Sequence, residues 1–387
     1  ALMAGVAAGL ILLGVLALAP ELARPATAVL GGVFRGVTGR LARGNTRRNP
    51  RRTAATAGAL TIGVALMSAI SVLAASTQKS VAGIVDQVIG ADFVVTGYGF
   101  QPFASGVADA IANTPGVTTT AVVKQAPIRA PGTGDTLATG VDPASIQKAL
   151  SLDVPEGSLN DLDDGKVALD TDTAAEIGAG NGTVIEVLSV AGPVDLDVVA
   201  VYEAAGGFTG YVVNLPTAKD LGASDQDSLV YVVTAPDADT GSVQSDIERA
   251  LGDYPNVQVL DQSEFKGSIS DQIGQLLTFL FALLVLAVLI ALLGIVNTLA
   301  LSVFERTREI GLLRAVGMSR QGIRRTIVVE AFLIAVFGAV LGMAVGVGFG
   351  ALLQRILAAE GIEEFAVNGP QLLLFLVLAA VGGVLAA

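Results

Sequence analysis

Chemistry in this 387-residue chain has few carriers. It has 35 Asp and Glu, 23 Lys and Arg, and neither histidine nor cysteine. Ser-His and Cys-His nucleophile pairs, Cys/His zinc sites and disulfides are excluded by composition alone. Carboxylates, guanidinium groups, amines and hydroxyls remain, and two motifs gather them. DLDDG, Asp161 to Gly165, sets oxygen ligands close together but lacks the rest of a calcium loop, so it reads as a solvated acidic turn. GAGNGT, Gly178 to Thr183, is glycine-rich without the Lys-Ser/Thr of a phosphate loop and reads as a turn between strands. No GxxxxGK(S/T) occurs, so ATP hydrolysis by that route is not expected of this chain. The residues therefore assign no catalytic group, no cofactor site and no metal site. The scattered aspartates give a carboxylate-based membrane hydrolase little support.

The elements that hold these residues are dominated by apolar runs. The chain is 52% hydrophobic with a mean hydropathy of +0.67, outside the range of an ordinary soluble domain. Ala1 to Ala19, Ala54 to Ala75, Leu276 to Val296, Ile327 to Leu353 and Leu372 onward are each candidates for crossing a bilayer core of about 30 Å. The first and last runs are cut by the ends of the sequence, which points to a segment of a longer chain.

The net charge of −12 averages regions of opposite sign. Pro20 to Thr53 carries eight Arg against one acid, and Glu305 to Arg325 six Arg against two acids. Thr77 to Ser270 carries 27 acids against eight basic residues. Short Arg-rich loops stay inside and long domains translocate largely regardless of charge, so the acidic stretch is expected outside. The resulting layout is a span (1–19), an Arg-rich amphipathic cytoplasmic segment (20–53), a span with an external stalk (54–76) and an extracytoplasmic domain (77–270). A stalk and span (271–301), a cytoplasmic loop helix (302–325), a span (326–353), an external loop (354–370) and a last span (371–387) follow. The basic clusters lie beside a membrane, so lipid headgroups and not nucleic acid are their expected partners.

The outer domain reads as α+β. ADFVVTG, KVALD, GTVIEVL, VDLDVVAVYE, GYVVNL and SLVYVVT are β-branched runs bounded by Gly, Asp and Pro. SGVADAIANTPGV and DTGSVQSDIERALGDYPNV have helical spacing and end at Pro-containing turns.

Between two apolar runs lies ERTREIGLLRAVGMSRQGI, Glu305 to Ile323. As a helix from Glu305 to Gly317 it is amphipathic but only about 20 Å long, too short to span. Gly317 is a natural stop and Ser319 a cap for the next helix. Two readings fit: a positive turn lying on headgroups, or a helix presented to a cytoplasmic partner, seated by Ile310 and Leu313 and oriented by Arg308, Glu309 and Arg314. Upstream, Asn49 is a cap and Pro50 a first helical residue. Leu30, Val33, Phe34, Val37 and Leu41 recur at helical spacing among Arg35, Arg40 and Arg43, as in a helix lying along the inner leaflet.

GIVNTLALSVFERTREIGLLRAVGMSRQGIRRTIVVEAFL, Gly294 to Leu333, closely resembles the signature of the FtsX/MacB-type ABC transporter permeases, the type VII or mechanotransmission class. LARGNTRRNPRRTAATAGAL resembles that family's entry to its first span. The resemblance covers Ala54 to the C-terminus and implies an α-helical transmembrane bundle with a large extracytoplasmic α+β domain like the MacB periplasmic core. It implies a non-catalytic permease in a cell membrane, with ATP and Mg bound by a separate cytoplasmic ABC ATPase. Glu305, Arg306, Arg308, Glu309, Ile310, Leu313, Arg314 and Gly317 would form the coupling helix that docks on it. Movement would pass to the outer domain for export, lipid or lipoprotein extraction, or signalling to an extracytoplasmic substrate or partner. The extra first run fits the C-terminal half of a long duplicated permease. A membrane-anchored sensing module with no motor is the alternative.

Two intramembrane features need partners. Gly338, Gly342, Gly346 and Gly350 repeat every four residues, a spacing that lets helices approach closely, either within one bundle or against a second half or homodimer partner. Glu330, early in its span, calls for a polar neighbour such as Arg324 or Asn297, or for access to water at the interface.

Overall fold

The computed structural model describes all residues except 1, 31, 33, 35, 49, 205–207, 359–360 and 363. It divides into two compact units, Ala1–Lys79 with Ile273–Ala387, and Ser80–Gln272. The chain opens with α1 (Leu2–Leu30), α2 (Val37–Arg48) and α3 (Pro50–Val88). There follow β1 (Phe93–Gly97), β2 (Phe103–Ala104), α4 (Gly106–Ala112), β3 (Val117–Ala130), β4 (Gly134–Val141), α5 (Pro143–Ala149), β5 (Glu156–Gly157), β6 (Lys166–Asp170) and α6 (Thr171–Ile177). Next come β7 (Val184–Ser189), β8 (Gly192–Tyr202), β9 (Tyr211–Asn214), α7 (Leu215–Asp220), β10 (Gln226–Asp227), β11 (Leu229–Thr234), α8 (Thr240–Ala250) and β12 (Val257–Asp261). α9 (Gln262–Glu305), α10 (Thr307–Ala315), α11 (Arg320–Ile356) and α12 (Gly369–Leu385) complete it. α3 and α9 are continuous helices whose residues are divided between the two units.

The unit Ser80–Gln272 is built on a ten-stranded sheet of order β12-β1-β11-β3-β4-β9-β6-β8-β5, with β7 joined to β3 and β8. Among the described residues, only β4–β9 and β6–β8 run parallel. Each strand named from sequence is present. Short helices begin where an Asp or Asn side chain takes the first free amide: Asp142 from Ser145, Asp170 from Thr173, Asn214 from Thr217 and Asp239 from Ser242. β3 is harder to read because Pro127 interrupts a run that is otherwise Val- and Thr-rich. β11 pairs with Val117 to Val123 and β7 with Ile128 and Arg129, so Pro127 falls in the gap, where that edge of the strand has no partner. The GAGNGT segment is a turn, but it joins α6 to β7 rather than two strands. In DLDDG, Asp163 pairs with Lys166 at 2.8 Å and Asp164 accepts from Asn214.

Within this unit the end of α3 and the start of α9 are tied together. Lys266 pairs with Asp86, Gln262 donates to the Ile89 and Ala91 carbonyls at 2.9 and 3.0 Å, and Phe265 is buried with Val85 and Val88. α9 starts at a reciprocal capping box. Asp261 Oδ1 accepts the Glu264 amide at 2.8 Å, and Glu264 Oε2 accepts the Asp261 amide at 3.0 Å. The Glu264 amide, helped by the Ser263 hydroxyl, holds the Asp261 carboxyl below the usual Asp value. A depressed carboxylate stabilises the fold fully above the unfolded Asp range of about 4, and that stability is lost as pH falls through the lowered value. Asp261→Ala is expected to cost about 1 kcal/mol at neutral pH and to flatten the stability profile of this unit below pH 4. Thermal unfolding across pH checks both.

In the unit formed by Ala1–Lys79 and Ile273–Ala387, α3, α9 and α11 are long and apolar enough to cross a membrane. α12, at 17 residues, and Gly9–Ala23 of α1 are shorter apolar helices. α11 is the centre of the bundle. Its Ala331, Ile334, Ala335, Phe337 and Ala339 share a core with Ala57, Leu60 and Val64 of α3, Ile295 and Leu299 of α9, and Ala379 of α12. All four repeated glycines are buried. A Cβ added at Gly342 would lie 2.6 Å from the Thr61 carbonyl oxygen, and one at Gly350 2.6 Å from Val72 Cβ. The close approach is therefore made to α3 of the same chain.

Two expectations shift at the start of the chain. α1 runs to Leu30 through Pro20 and Pro25, with Ala23 and Thr27 buried, rather than stopping near Ala19. The helical repeat expected across Leu30 to Leu41 is interrupted, because Gly36 takes a φ of 114° and the helix starts at Val37. α2 packs on α1 and α11 with Ala42 and Thr46 buried, and Phe34 stacks edge-on against Phe332 at 5.4 Å. Val33, Arg35 and the Asn49 cap lie outside the described residues; α3 does begin at Pro50.

Candidate functional site

α9 ends at Glu305, and Arg306, with φ −100° and ψ 20°, breaks the helix before α10. Thr307 Oγ1 donates to the Phe304 carbonyl at 2.7 Å across the joint. The far end is a Schellman stop. The Gly317 amide donates to the Arg314 carbonyl at 3.0 Å and the Met318 amide to the Leu313 carbonyl at 2.9 Å, with Gly317 at φ 102°. Ser319 Oγ then accepts the Gly322 amide at 3.1 Å and opens α11. Both punctuation residues named from sequence thus hold these places, and the free helix is the nine residues Thr307–Ala315.

No residue of α10 is buried. Ile310 and Leu313, expected to seat the helix in a partner, are half-buried and line a cavity of about 250 Å³ in this chain, with Leu41 of α2 and Met318, Ile323 and Ile327 before and within α11. α2 covers that side, which the helical phase of α10 alone does not reveal. The apolar side chains left open are Leu312, 69% exposed, and Val316, 82% exposed, together with exposed Arg308, Glu309 and Arg314. The apolar stripe of the sequence is thus graded: Ile310 and Leu313 are half-buried at the cavity, Leu312 also lines it but is mostly exposed, and Val316 lies off it.

The joint is tied to three other helices by polar side chains. Arg52 of α3 donates to Ser302 Oγ at 2.8 Å and pairs with Glu305 at 3.2 Å. Glu330 of α11 accepts from Asn45 Nδ2 of α2 at 3.1 Å and lies 4.0 Å from the Arg306 guanidinium. Neither expected partner of Glu330 is the observed one. Arg324 is six residues away, about 120° around the helix, and Asn297 is exposed on α9, off the face that carries Ile295 and Leu299 into the core. No spacing rule reaches either partner: Asn45 meets Glu330 through the packing of α2 on α11, and Arg306 meets it because the α9–α10 joint lies beside α11.

α9 itself is unusual in the bundle. Its apolar face, including Phe279, Leu283, Leu286, Ile290 and Leu293, is exposed, and Asn297 lies among the exposed residues.

Comparison with known proteins bears on most of the chain. Residues 53–250 match the MacB-like periplasmic core domain and residues 281–387 the FtsX-like permease C-terminal domain. A macrolide export ATP-binding/permease protein MacB 1/2 of Paracoccus denitrificans is 29% identical over 49% of this chain and 30% of its own length. A macrolide export ATP-binding/permease protein MacB of Agrobacterium fabrum is 24% identical over 76% of this chain and 50% of its own. The chain thus spans half or less of the length of these relatives. The solved periplasmic region of MacB from Actinobacillus actinomycetemcomitans covers 47% of this chain at 13% identity with a TM-score of 0.37, a likeness too loose to carry an argument. The periplasmic core match alone takes in just over half of the residues, and on it the chain belongs to the FtsX/MacB-like ABC transporter permeases, membrane proteins with an extracytoplasmic domain.

Proposed function

We propose that this permease couples ATP hydrolysis by a separate cytoplasmic ATPase to a change of shape in its extracytoplasmic domain, with α10 as the docking helix. The observation that carries the reading is a short helix fixed at both ends with two large apolar side chains, Leu312 and Val316, left open among Arg308, Glu309 and Arg314. Such a surface costs free energy in water and is repaid by a partner's groove. These 387 residues contain no phosphate loop, so the reading has an ABC ATPase outside them bring the nucleotide chemistry. α3 and α9 each contain residues of both units, a covalent route by which movement could pass. The open apolar face of α9, with exposed Asn297 able to hydrogen-bond across helices, fits a second permease half or a second copy. Export, extraction of a lipid or lipoprotein, and signalling are all compatible with this mechanics. Purification of the chain from its native membrane in mild detergent is expected to bring an ABC ATPase with it. A folded chain that consistently arrives without one contradicts the proposal.

A further inference from the structure

We infer that Glu330 is the positioning residue for α10: its carboxylate gathers Asn45 of α2 and Arg306 of the α9–α10 joint, so that α2 and the docking helix are held as one body. The inference deepens the proposed function and rests on α10 being the element that engages the ATPase.

The physical case begins with burial. Glu330 is 7% exposed and ten residues into α11, about 15 Å along the helix. A carboxylate at that depth persists only with partners. Its two oxygens are divided between them: Oε2 accepts from Asn45, and Oε1 faces the Arg306 guanidinium. Arg306 is the residue whose backbone breaks the helix, so the contact acts on the joint itself. The other acids near it are engaged or open to water. Glu305 pairs with Arg52, and Glu309 lines the same cavity but is exposed.

Apolar packing does not fix α10 by itself. Ile310 and Leu313 border the cavity of about 250 Å³ rather than filling it. Where dispersion contacts are incomplete, directional polar ties decide position. The Glu330 group is the tie that spans α2, α11 and the joint together.

The test uses this chain alone, in lipid nanodiscs, so its outcome does not depend on any ATPase. The native chain has no cysteine, which leaves spin labels at Arg48→Cys on α2 and Leu312→Cys on α10 unambiguous. Glu330→Gln keeps the shape and one hydrogen-bond acceptor but removes the charge facing Arg306. It is expected to widen the α2–α10 distance distribution about twofold. Adding Asn45→Asp returns a carboxylate to the same cluster from α2 and is expected to narrow the distribution again, a rescue that loss of packing alone would not allow. Should Glu330→Gln fail to fold, Arg306→Gln empties the pair from the other side and is expected to widen the distribution equally. A single variant as narrow as the parent, or a double variant no narrower than the single, overturns the inference.

Discussion

Leucine in place of Gly346 is expected to abolish the folded bundle, while leucine at Gly348 leaves it intact. Gly346 is buried against α3, where an added Cβ would meet Ser68 Cβ at 2.6 Å and also the Ala65 carbonyl. A carbonyl cannot turn aside as a side chain end can, so the helices must separate. Overpacking alone costs about 1–3 kcal/mol in a well-packed core. Here separation also undoes the contacts of Gly338, Gly342 and Gly350 on the same seam. Association of helices in lipid depends on this close packing, since lipid tails are as apolar as the side chains they would replace. Gly348 is exposed, with open space where its Cβ would stand, so it controls for the added side chain and for helix propensity. Size-exclusion profiles and thermal unfolding in detergent measure both. Equal behaviour of the two variants would count against the α3–α11 seam.

The second large effect falls on partner binding. Leu312→Asp combined with Val316→Asp is expected to lower ATPase recovery with the permease about 100-fold, with the amount of folded permease unchanged. Both side chains are mostly exposed in this chain, so placing carboxylates there costs its own fold little. In a partner's apolar groove the same carboxylates lose their hydration without a counter-charge, a penalty of several kcal/mol each. Ile310→Asp and Leu313→Asp are a different experiment, since those residues are half-buried against the chain's own cavity, where Leu312 is mostly exposed, and their substitution disturbs the seat of α10. The ratio of ATPase to permease after affinity purification is the measurement.

Much of this architecture is written in local sequence, and the parts that are not share a cause. Gly317 and Ser319 act through their own backbone neighbourhood, so their roles can be read from residue type. The β-branched strands and the four-residue glycine spacing carry their periodicity in a short window. β3 is hard to read from sequence because Pro127 interrupts a run otherwise favourable to strand, and its pairing with β11, β7 and β4 makes sense of it. The capping box at Asp261 did have a local signature, D-x-x-E before an apolar helix. The partners of Glu330 come from residues 24 and 285 positions away along the chain, and no spacing rule reaches them. For the same reason the apolar stripe of α10 is legible in sequence while the half-burial of Ile310 and Leu313 beside the exposure of Leu312 and Val316 is not. That difference depends on where α2 packs.

The central claim is that the open face of α10 is where the ATPase sits, and the absence of native cysteine allows a direct test. A single Val316→Cys, treated in native membranes with a short cysteine-to-amine cross-linker, is expected to yield a product containing the ABC ATPase. A single cysteine at Leu283, exposed on α9 within the apolar span, is expected to yield none. Absence of the ATPase product from Val316→Cys in a folded permease, or equal yield from Leu283→Cys, would contradict the account.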